Sequence, residues 1–269
     1  SNIFLSLTNN KLMLQVIFFA IFFGVMLILI PQKNTSVIIP IIDALNLIFL
    51  KMVEVVMLFS PYFVFCLLAG VMAKIAGDNP SGVVDVFKGL GVYSLVVLVG
   101  LLMMVFLVYP FFVYLFKGIR YLDFFSAISP AQMLAFSTSS SAATLPVTMD
   151  CVENKLGISS RVTNFVLPIG ATVNMDGTSL YQAVAVVFLA QMHMVDLDLS
   201  QQLVIVFTAT MASIGSAAVP SAGLVMLIIV LDAVGLNPAW ISIIFPVDRI
   251  LDMCRTVVNV TGDATVSSI

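Results

Sequence analysis

The sequence predicts an all-α membrane protein. Hydrophobic residues make up 61% of the 269 residues and charged residues only 9%, whereas charged residues supply about 25% of a typical soluble domain. Apolar runs such as residues 90–115 are long and lack the alternation of a membrane β-barrel strand, so the spanning elements should be helices. The net charge is −3 and no basic tract occurs, which argues against nucleic acid as a partner.

Three membrane spans are predicted in the first half of the chain. Residues 12–30 form an apolar run of the length that crosses a bilayer. The next apolar stretch, residues 37–75, is too long for one perpendicular crossing and contains Pro61, so we expect a tilted, kinked helix. A third span is predicted at residues 87–116, after a loop rich in Gly, Asn, Asp and Pro.

Two later segments predict helical hairpins. In each, two apolar arms that are too short to cross the bilayer flank a polar tip, at residues 137–146 and again at residues 212–223. Non-helical backbone at membrane depth needs partners other than lipid, so each segment predicts a re-entrant hairpin whose tip is buried in protein. Basic residues flank the first hairpin and acidic residues the second, which places the base of the first in the cytoplasm and that of the second outside.

Each hairpin precedes a helix with a polar middle. The polar stretch 171–179 predicts a discontinuous helix, and the last helix of the chain is expected to be discontinuous as well. The two halves share sequence, since residues 141–146 resemble 216–220 and residues 172–174 resemble 257–259. Paired interrupted segments of this kind indicate a secondary transporter with an inverted repeat and a site between the repeats.

The last helix carries the most informative residues. Its polar side chains recur at steps of three or four, so they share one face of a helix: Asp248, Asp252, Arg255, Asn259 and Asp263. Ionisable groups at membrane depth are costly unless they serve a substrate or ion pathway. The planar guanidinium of Arg255 matches a carboxylate, and Asp252 matches an ammonium, so the face suits an acidic amino acid. The alternative is that Arg255 only neutralises the neighbouring aspartates, but a purely structural buried ion pair rarely stabilises a protein more than apolar packing does.

Residues 174–177 and the end of the last helix predict ion sites. Asn174 and Asp176 lie two apart beside Gly177, so only an unwound turn aims both inward, where oxygen ligands suit an alkali cation. The alternative is a structural kink whose polar side chains form hydrogen bonds with one another and bind no ion. Asn259 with Asp263 supplies a second carboxylate and amide pair, which favours several ions.

Other function classes fit the sequence less well. The serines at 139–141 provide small residues for close helix packing, but a hairpin tip also offers backbone N–H groups that hold a carboxylate. A nucleophilic serine is disfavoured because no Gly-x-Ser-x-Gly pattern occurs and His193 falls in a predicted outer loop. An anion channel also uses a buried arginine and polar helices, but nothing in a channel requires paired hairpins.

The motifs resemble those of the dicarboxylate/amino acid:cation symporters, the glutamate transporter family. Four ordered stretches carry the resemblance: Ser-Ser-Ser-Ala-Ala-Thr-Leu-Pro (139–146), Asn-Met-Asp-Gly-Thr (174–178), Ser-Ile-Gly-Ser-Ala-Ala-Val-Pro-Ser-Ala-Gly (213–223) and Asp-Met-Cys-Arg-Thr-Val-Val-Asn-Val-Thr-Gly-Asp (252–263). Members of this family are longer, so we expect the chain to be an N-terminally truncated fragment that lacks three preceding helices.

The resemblance implies an elevator-type homotrimer in the cell membrane, with several spans per subunit. Residues 1–76 would then form part of a scaffold and trimerisation domain with two membrane helices. Residues 77–269 would form the transport domain, with its membrane helix and four further segments: a first re-entrant hairpin at 121–152, a broken helix at 157–190, a second re-entrant hairpin at 201–235 and a last helix at 238–269.

The resemblance also implies a set of site residues. Those expected to contact the substrate are Ser140, Ser141, Thr178, Val219, Gly223, Asp252, Arg255, Thr256 and Asn259. One sodium site is expected from Gly170, Asn174, Asn259 and Asp263, and a second from the backbone of Thr172, Ser213, Ile214 and Ser216. Asn174 and Asp176 are expected to form part of a third sodium site, whose other ligands belong to a missing helix.

Three positions depart from the family pattern. Gln182 stands where proton- and potassium-coupled members carry a glutamate, so we expect no such coupling through this residue. Ser139 and Met253 stand where relatives often carry an arginine. Ala218 and Ser221 replace glycines found in some relatives, which is expected to stiffen the second hairpin tip.

These observations predict a sodium-coupled symporter of L-glutamate and L-aspartate that co-transports sodium ions. Within the family, a carrier of four-carbon dicarboxylates would leave Asp252 without an ammonium, and a carrier of neutral amino acids would leave Arg255 without a carboxylate. An anion channel is the alternative from another class.

Overall fold

The computed structural model describes residue 6, residues 13–78 and residues 80–269. Every regular element in those ranges is a helix, which confirms the predicted all-α class. The chain divides into two compact units, residues 1–64 and residues 65–269. The candidate site described below is built by helices of the second unit.

The first unit is dominated by apolar helical sequence. Helix α1 spans Met13–Leu29, a single turn follows at Gln32–Thr35, and helix α2 begins in this unit and spans Ile38–Asp78, with Pro61 inside it. Large side chains such as Phe18 and Ile28 are mostly exposed. Exposed apolar side chains on long apolar helices are typical of segments that face lipid.

A long helical stretch opens the described part of the second unit after α2. It consists of helix α3 at Pro80–Met103, a π-helical turn at Met104–Val108 and helix α4 at Tyr109–Lys117. Among the described residues, Val84–Lys117 is the one stretch long and apolar enough, by length and composition, to cross a bilayer. It overlaps the third predicted span.

A helical hairpin and a broken helix follow. Helix α5 spans Tyr121–Thr138 and helix α6 spans Ser141–Asp150, continued by a π-helical turn at Cys151–Lys155. Helices α7 and α8 span Ser160–Val173 and Asp176–Met192. Asn174 and Met175 leave the helical region of backbone space, with ψ of 74° and 58°, and this interrupts the helix within the predicted polar stretch.

A second hairpin and the last helix complete the unit. Helix α9 spans Leu199–Ile214, helix α10 spans Ala222–Ala233, a 3₁₀ turn covers Pro238–Ile243, and helix α11 spans Phe245–Ser268. The capping box of Asp198 and Gln201 fixes the start of α9, because each side chain accepts a hydrogen bond from the backbone N–H of the other residue.

The last helix differs from the prediction because it is continuous. The structure shows no interruption between Phe245 and Ser268. The helix has a single glycine, Gly262, and its Cα lies where an added Cβ would come within 2.8 Å of the Tyr109 hydroxyl. The glycine therefore serves close packing in α11, rather than a break in the helix.

Helix α11 lies at the centre of the second unit. It packs against α3, α5, α7 and α8, and its apolar residues Val258, Val260 and Ala264 are almost fully buried. Its polar residues are buried as well, although its sequence is among the less hydrophobic of the chain. The polar face predicted from periodicity is therefore enclosed by other helices of the same unit.

Candidate functional site

Arg255 is the central charged group of the buried face of α11. The residue is 1% exposed, and its Nη2 lies 2.6 Å from Asp252 Oδ1 and 3.1 Å from Asp248 Oδ1. The guanidinium carbon lies 3.7 Å from the centroid of the Tyr181 ring, within the range of a cation–π contact. Its Nε and Nη1 are buried without a hydrogen-bond partner among the described residues. The guanidinium therefore keeps N–H donors for a further acceptor.

A small cavity adjoins Arg255 and is formed between the two hairpin tips, the start of α8 and α11. Its volume is about 20 Å³, roughly the space of one water-sized sphere. Seven of the nine predicted substrate residues line it: Ser141, Thr178, Val219, Gly223, Asp252, Thr256 and Asn259. The cavity is too small for a ligand of amino acid size unless one of the tips moves.

The two remaining predicted substrate residues lie at the edge of this cavity. A Cβ added to Gly223 would lie 3.6 Å from Nη1 of Arg255 and 2.8 Å from the Thr178 methyl group. The backbone of α10 therefore approaches α8 and Arg255 more closely than a side chain would allow. Ser140 lies in the first tip, where its Oγ donates to the carbonyl of Ala218 at 2.7 Å.

The first tip is stabilised mainly by its own residues. Ser140 is the N-cap of α6, since its Oγ accepts from the N–H of Ala143 at 3.1 Å. The Thr144 hydroxyl donates to the Ser140 carbonyl at 2.8 Å. Ser139 adopts a left-handed backbone with φ of 53°, and its buried Oγ has no hydrogen-bond partner among the described residues.

The second tip is held by residues of other elements. The N–H of Ser221 donates to Asp252 Oδ2 at 2.8 Å, and Nε2 of Gln182 donates to the Gly223 carbonyl at 2.9 Å. Ser221 also adopts a left-handed backbone, with φ of 61°, and its side chain does not cap α10. The hydrogen bonds from Asp252, Gln182 and Ser140 therefore hold this tip in the absence of a side-chain N-cap on α10.

A second polar cluster surrounds Asp263, two turns of α11 beyond Arg255. Asn174 Nδ2 donates to Asp263 Oδ1 at 3.0 Å, so the break between α7 and α8 faces this carboxylate. Gly170 lies on the other side, because a Cβ there would be only 2.6 Å from Asp263 Oδ1. Asp263 is 3% exposed. Three of the four residues expected at the first sodium site are therefore adjacent.

Asn259, the fourth residue of that set, bridges α11 and the start of α8. Its Oδ1 accepts from the N–H of Gly177 at 2.9 Å, and its Nδ2 donates to Thr178 Oγ1 at 3.2 Å. Asn259 also lines the cavity beside Arg255. One amide side chain thus joins α11 to the start of α8 at the wall of the cavity.

The residues expected at the other sodium sites are only partly brought together. Asn174, Asp176, Ser213 and Ile214 line a groove of about 590 Å³. Ser216 lines the small cavity instead, and its buried hydroxyl has no hydrogen-bond partner among the described residues. Thr172 is exposed, with its hydroxyl bonded to the Ile169 carbonyl, and is not among the residues that line the groove.

Two tyrosines that were not among the predicted site residues contribute to these clusters. Tyr109 donates to Asp176 Oδ2 at 3.0 Å from α4, and Tyr181 packs under Arg255. Tyr181 is at i+3 from Thr178 on α8, so helical periodicity would have placed it on the same face. Tyr109 lies in an apolar span without a motif, and only the packing of α4 on α11 shows its role.

The sequence has close relatives among transporters. Excitatory amino acid transporter 2 of Mus musculus is 44% identical over 232 residues, which cover 86% of this chain and 40% of that protein. An excitatory amino acid transporter of Caenorhabditis elegans is 40% identical over 257 residues, which cover 96% and 50%. Excitatory amino acid transporter 3 of Oryctolagus cuniculus is 40% identical over 251 residues, covering 93% and 47%. The chain thus spans half or less of each of these relatives.

A family model matches a longer part of the chain than any of these alignments with relatives. The model of the sodium:dicarboxylate symporter family matches residues 1–269. That match includes both hairpins, the broken helix and the buried polar face of α11. The chain therefore belongs to the sodium:dicarboxylate symporter family.

Proposed function

We propose that the protein is a sodium-coupled symporter of L-aspartate and L-glutamate. The observation that carries this proposal is Arg255, a fully buried guanidinium with two unsatisfied nitrogens among the described residues, next to Asp252 and a cavity between two hairpin tips. A carboxylate satisfies those nitrogens, and Asp252 attracts an ammonium. The names of the relatives, excitatory amino acid transporters, support the same substrate class.

In this proposal each part of an acidic amino acid meets a different group. Arg255 donates to the side-chain carboxylate through Nε and Nη1. The first residues of α6 and α10 line the cavity, and helix N-termini favour anions, so they suit the α-carboxylate. The ammonium takes Asp252 Oδ2 in place of the Ser221 N–H, which releases the second tip.

Sodium ions are cargo in this mechanism, and the cluster around Asp263 is the proposed place for one of them. The Asp263 carboxylate, the Asn174 side chain and the Gly170 backbone supply oxygen atoms, which are the ligands that hard cations prefer. A cation there replaces the Asn174 amide group as the partner of the buried Asp263 charge. Asn259 passes the resulting shift to the substrate cavity through its bonds to Gly177 and Thr178.

The groove lined by Asn174, Asp176, Ser213 and Ile214 is the proposed location for further sodium ions. Ser216 and Thr172 lie elsewhere, so we propose that ion binding there is accompanied by a rearrangement of the second tip. The Tyr109 hydroxyl, which now donates to Asp176, is the group that an ion at Asp176 displaces.

We further propose the architecture that the family resemblance implies. A symporter family consists of membrane proteins, and the apolar exposed surface supports several spans in a cell membrane. The two hairpins are proposed to be re-entrant and related by an inverted repeat. Residues 1–76 are proposed as part of a trimeric scaffold, and residues 77–269 as a transport domain that moves as an elevator.

Uptake of radiolabelled L-aspartate by the full-length protein in liposomes tests the function. An inward sodium gradient should drive accumulation, and replacement of sodium by choline should leave only background. Arg255→Cys should abolish this uptake, because the thiol cannot hold a carboxylate by two N–H donors. Arg120→Met is the matched control, since Arg120 is 85% exposed and pairs with Asp123. Uptake that ignores sodium, or that persists in Arg255→Cys, would contradict the proposal.

The proposed ion site is tested separately by Asp263→Asn. Neutralising this buried carboxylate should raise the sodium concentration for half-maximal uptake by about ten-fold or more, since one unit charge is lost from the ligand set. The matched control is Asp123→Asn, at an exposed carboxylate. An unchanged sodium titration in Asp263→Asn would show that Asp263 has a structural role only.

A further inference from the structure

Arg249 is a second guanidinium directed at the carboxylate of Asp252. It precedes Asp252 by three residues on α11, and its Nη1 lies 3.9 Å from Asp252 Oδ2. Its side chain is 41% exposed, yet Nη1 itself is buried and has no hydrogen-bond partner among the described residues. Nη1 of Arg249 is therefore buried near Asp252, which lines the small cavity, while the side chain as a whole remains partly accessible.

The two arginines contact different oxygens of the same carboxylate. Arg255 Nη2 lies 2.6 Å from Oδ1, whereas Arg249 and the Ser221 N–H are directed at Oδ2. Oδ2 is thus the oxygen shared between α11 and the second hairpin tip. An ammonium that enters the cavity must compete with both of these groups for it.

The local charge supports this competition. Arg255 pairs with both Asp248 and Asp252, and Arg249 pairs with Asp252, so the cluster has two carboxylates and two guanidiniums. Without Arg249 the same cluster carries an excess negative charge, which favours an added cation. With Arg249 in place, Asp252 gains less from a substrate ammonium, because its charge is already compensated.

We propose that Arg249 sets the selectivity between amino acids and dicarboxylates that lack an amine. This inference rests on the proposed function. Arg249 weakens the site's preference for an ammonium and supports the binding of a second anionic group. When an amino acid binds, the guanidinium withdraws toward solvent along its exposed stem, as long basic side chains do at interfaces.

The position of Arg249 is not one at which an arginine was expected. The family resemblance placed a further arginine at residue 139 or 253, which are Ser139 and Met253 in this chain. Arg249 is on the same helix as Met253, one turn nearer the start of α11. Arg249 therefore places a positive charge near Asp252.

Competition binding with the full-length protein in detergent tests the proposal. Sodium-dependent binding of labelled L-aspartate is measured, and its displacement by unlabelled L-aspartate and by succinate gives two dissociation constants. In Arg249→Met the ratio of the succinate constant to the aspartate constant should rise about ten-fold, because one nearby cation is removed. Arg249→Lys should restore the ratio, since it keeps the positive charge.

The controls separate this effect from a loss of folding. Arg120→Met removes an exposed guanidinium and should leave the ratio unchanged. A merely structural role for Arg249 would weaken both ligands by the same factor, so an unchanged ratio in Arg249→Met overturns the inference. If the unaltered protein binds neither ligand in sodium, the proposed function fails and this inference fails with it. Sodium-dependent aspartate binding with an unchanged ratio overturns the inference alone.

Discussion

The two hairpin tips differ in what holds them in place. The first tip is short, with only Ser139 and Ser140 between α5 and α6, and its main hydrogen bonds are made within the hairpin. The second tip covers residues 215–221 and has a few backbone hydrogen bonds within its own hairpin, such as those from the N–H groups of Ser216 and Ala222. Three side chains of other elements also hold it: Ser140 and Asp252 bond to the tip, and Gln182 bonds to the adjoining Gly223 carbonyl. The first tip is therefore a fixed part of the unit, and the second depends on its neighbours.

From this difference we expect the second tip to open before the first. Local opening is easiest where a segment has few contacts of its own. One of its three supports, Asp252, is also the proposed partner of the substrate ammonium. A substrate that engages Asp252 thus removes a hydrogen bond from the second tip and none from the first.

The largest expected effect comes from Asp252→Asn. The change removes a charge from a buried ion pair, and loss of one partner costs about 3 kcal/mol or more. We expect aspartate binding to fall at least 100-fold and hydrogen exchange to rise at residues 219–223, but not at residues 139–143. Mass-spectrometric hydrogen exchange and binding assays measure both quantities.

Asp123→Asn is the control for that comparison, because its carboxylate is exposed and pairs only with Arg120 on the surface. It should change neither quantity. Equal exchange at the two tips in Asp252→Asn would contradict the view that Asp252 supports the second tip alone.

A smaller effect on both tips is expected from Ser140→Ala. The hydroxyl caps α6 and also donates to Ala218, so its loss removes a helix cap worth about 1 kcal/mol and one inter-tip hydrogen bond. Hydrogen exchange should rise in both hairpins. Ser137→Ala is a matched control, because its exposed hydroxyl bonds only to the Leu134 carbonyl. A rise in exchange confined to the first tip would show that the Ala218 contact does not support the second.

The smallest effect is expected from Ser221→Gly. A left-handed backbone costs a non-glycine residue roughly 1 kcal/mol, part of which is offset by the greater freedom of glycine in the unfolded chain. We expect a gain of about 0.5 kcal/mol in the free energy of unfolding, measured by thermal or denaturant unfolding. Ser129→Gly, inside α5, should change stability in the opposite direction because glycine disfavours helix. A loss of stability in Ser221→Gly would show that the Ser221 side chain supports the tip.

Much of this arrangement could be predicted because it follows from local patterns. The steps of three and four between Asp248, Asp252 and Arg255 place them on one helix face, and α11 has this form. The polar residues after Val173 predicted the break at Asn174. The expected break in the last helix was wrong, because Gly262 allows close packing with Tyr109 and leaves the helix intact.

The remaining features depend on contacts between distant parts of the chain. Tyr109 meets Asp176 across 67 residues, and Asn174 meets Asp263 across 89. No local period encodes which elements pack together. The family resemblance grouped Asn174 with Asp263 in one expected sodium site, whereas no pattern in the sequence indicated the contact between Tyr109 and Asp176.

Asn259 has a consequence for the energetics of coupled transport. Its amide joins α11 to the start of α8 through Gly177 and Thr178, and the residue belongs to both the proposed substrate set and the proposed sodium set. A side chain shared in this way makes the two binding equilibria interdependent. If the proposed function holds, thermodynamic reciprocity requires that sodium strengthens amino acid binding by the same factor by which the amino acid strengthens sodium binding. Replacement of Asn259 should therefore reduce both factors equally.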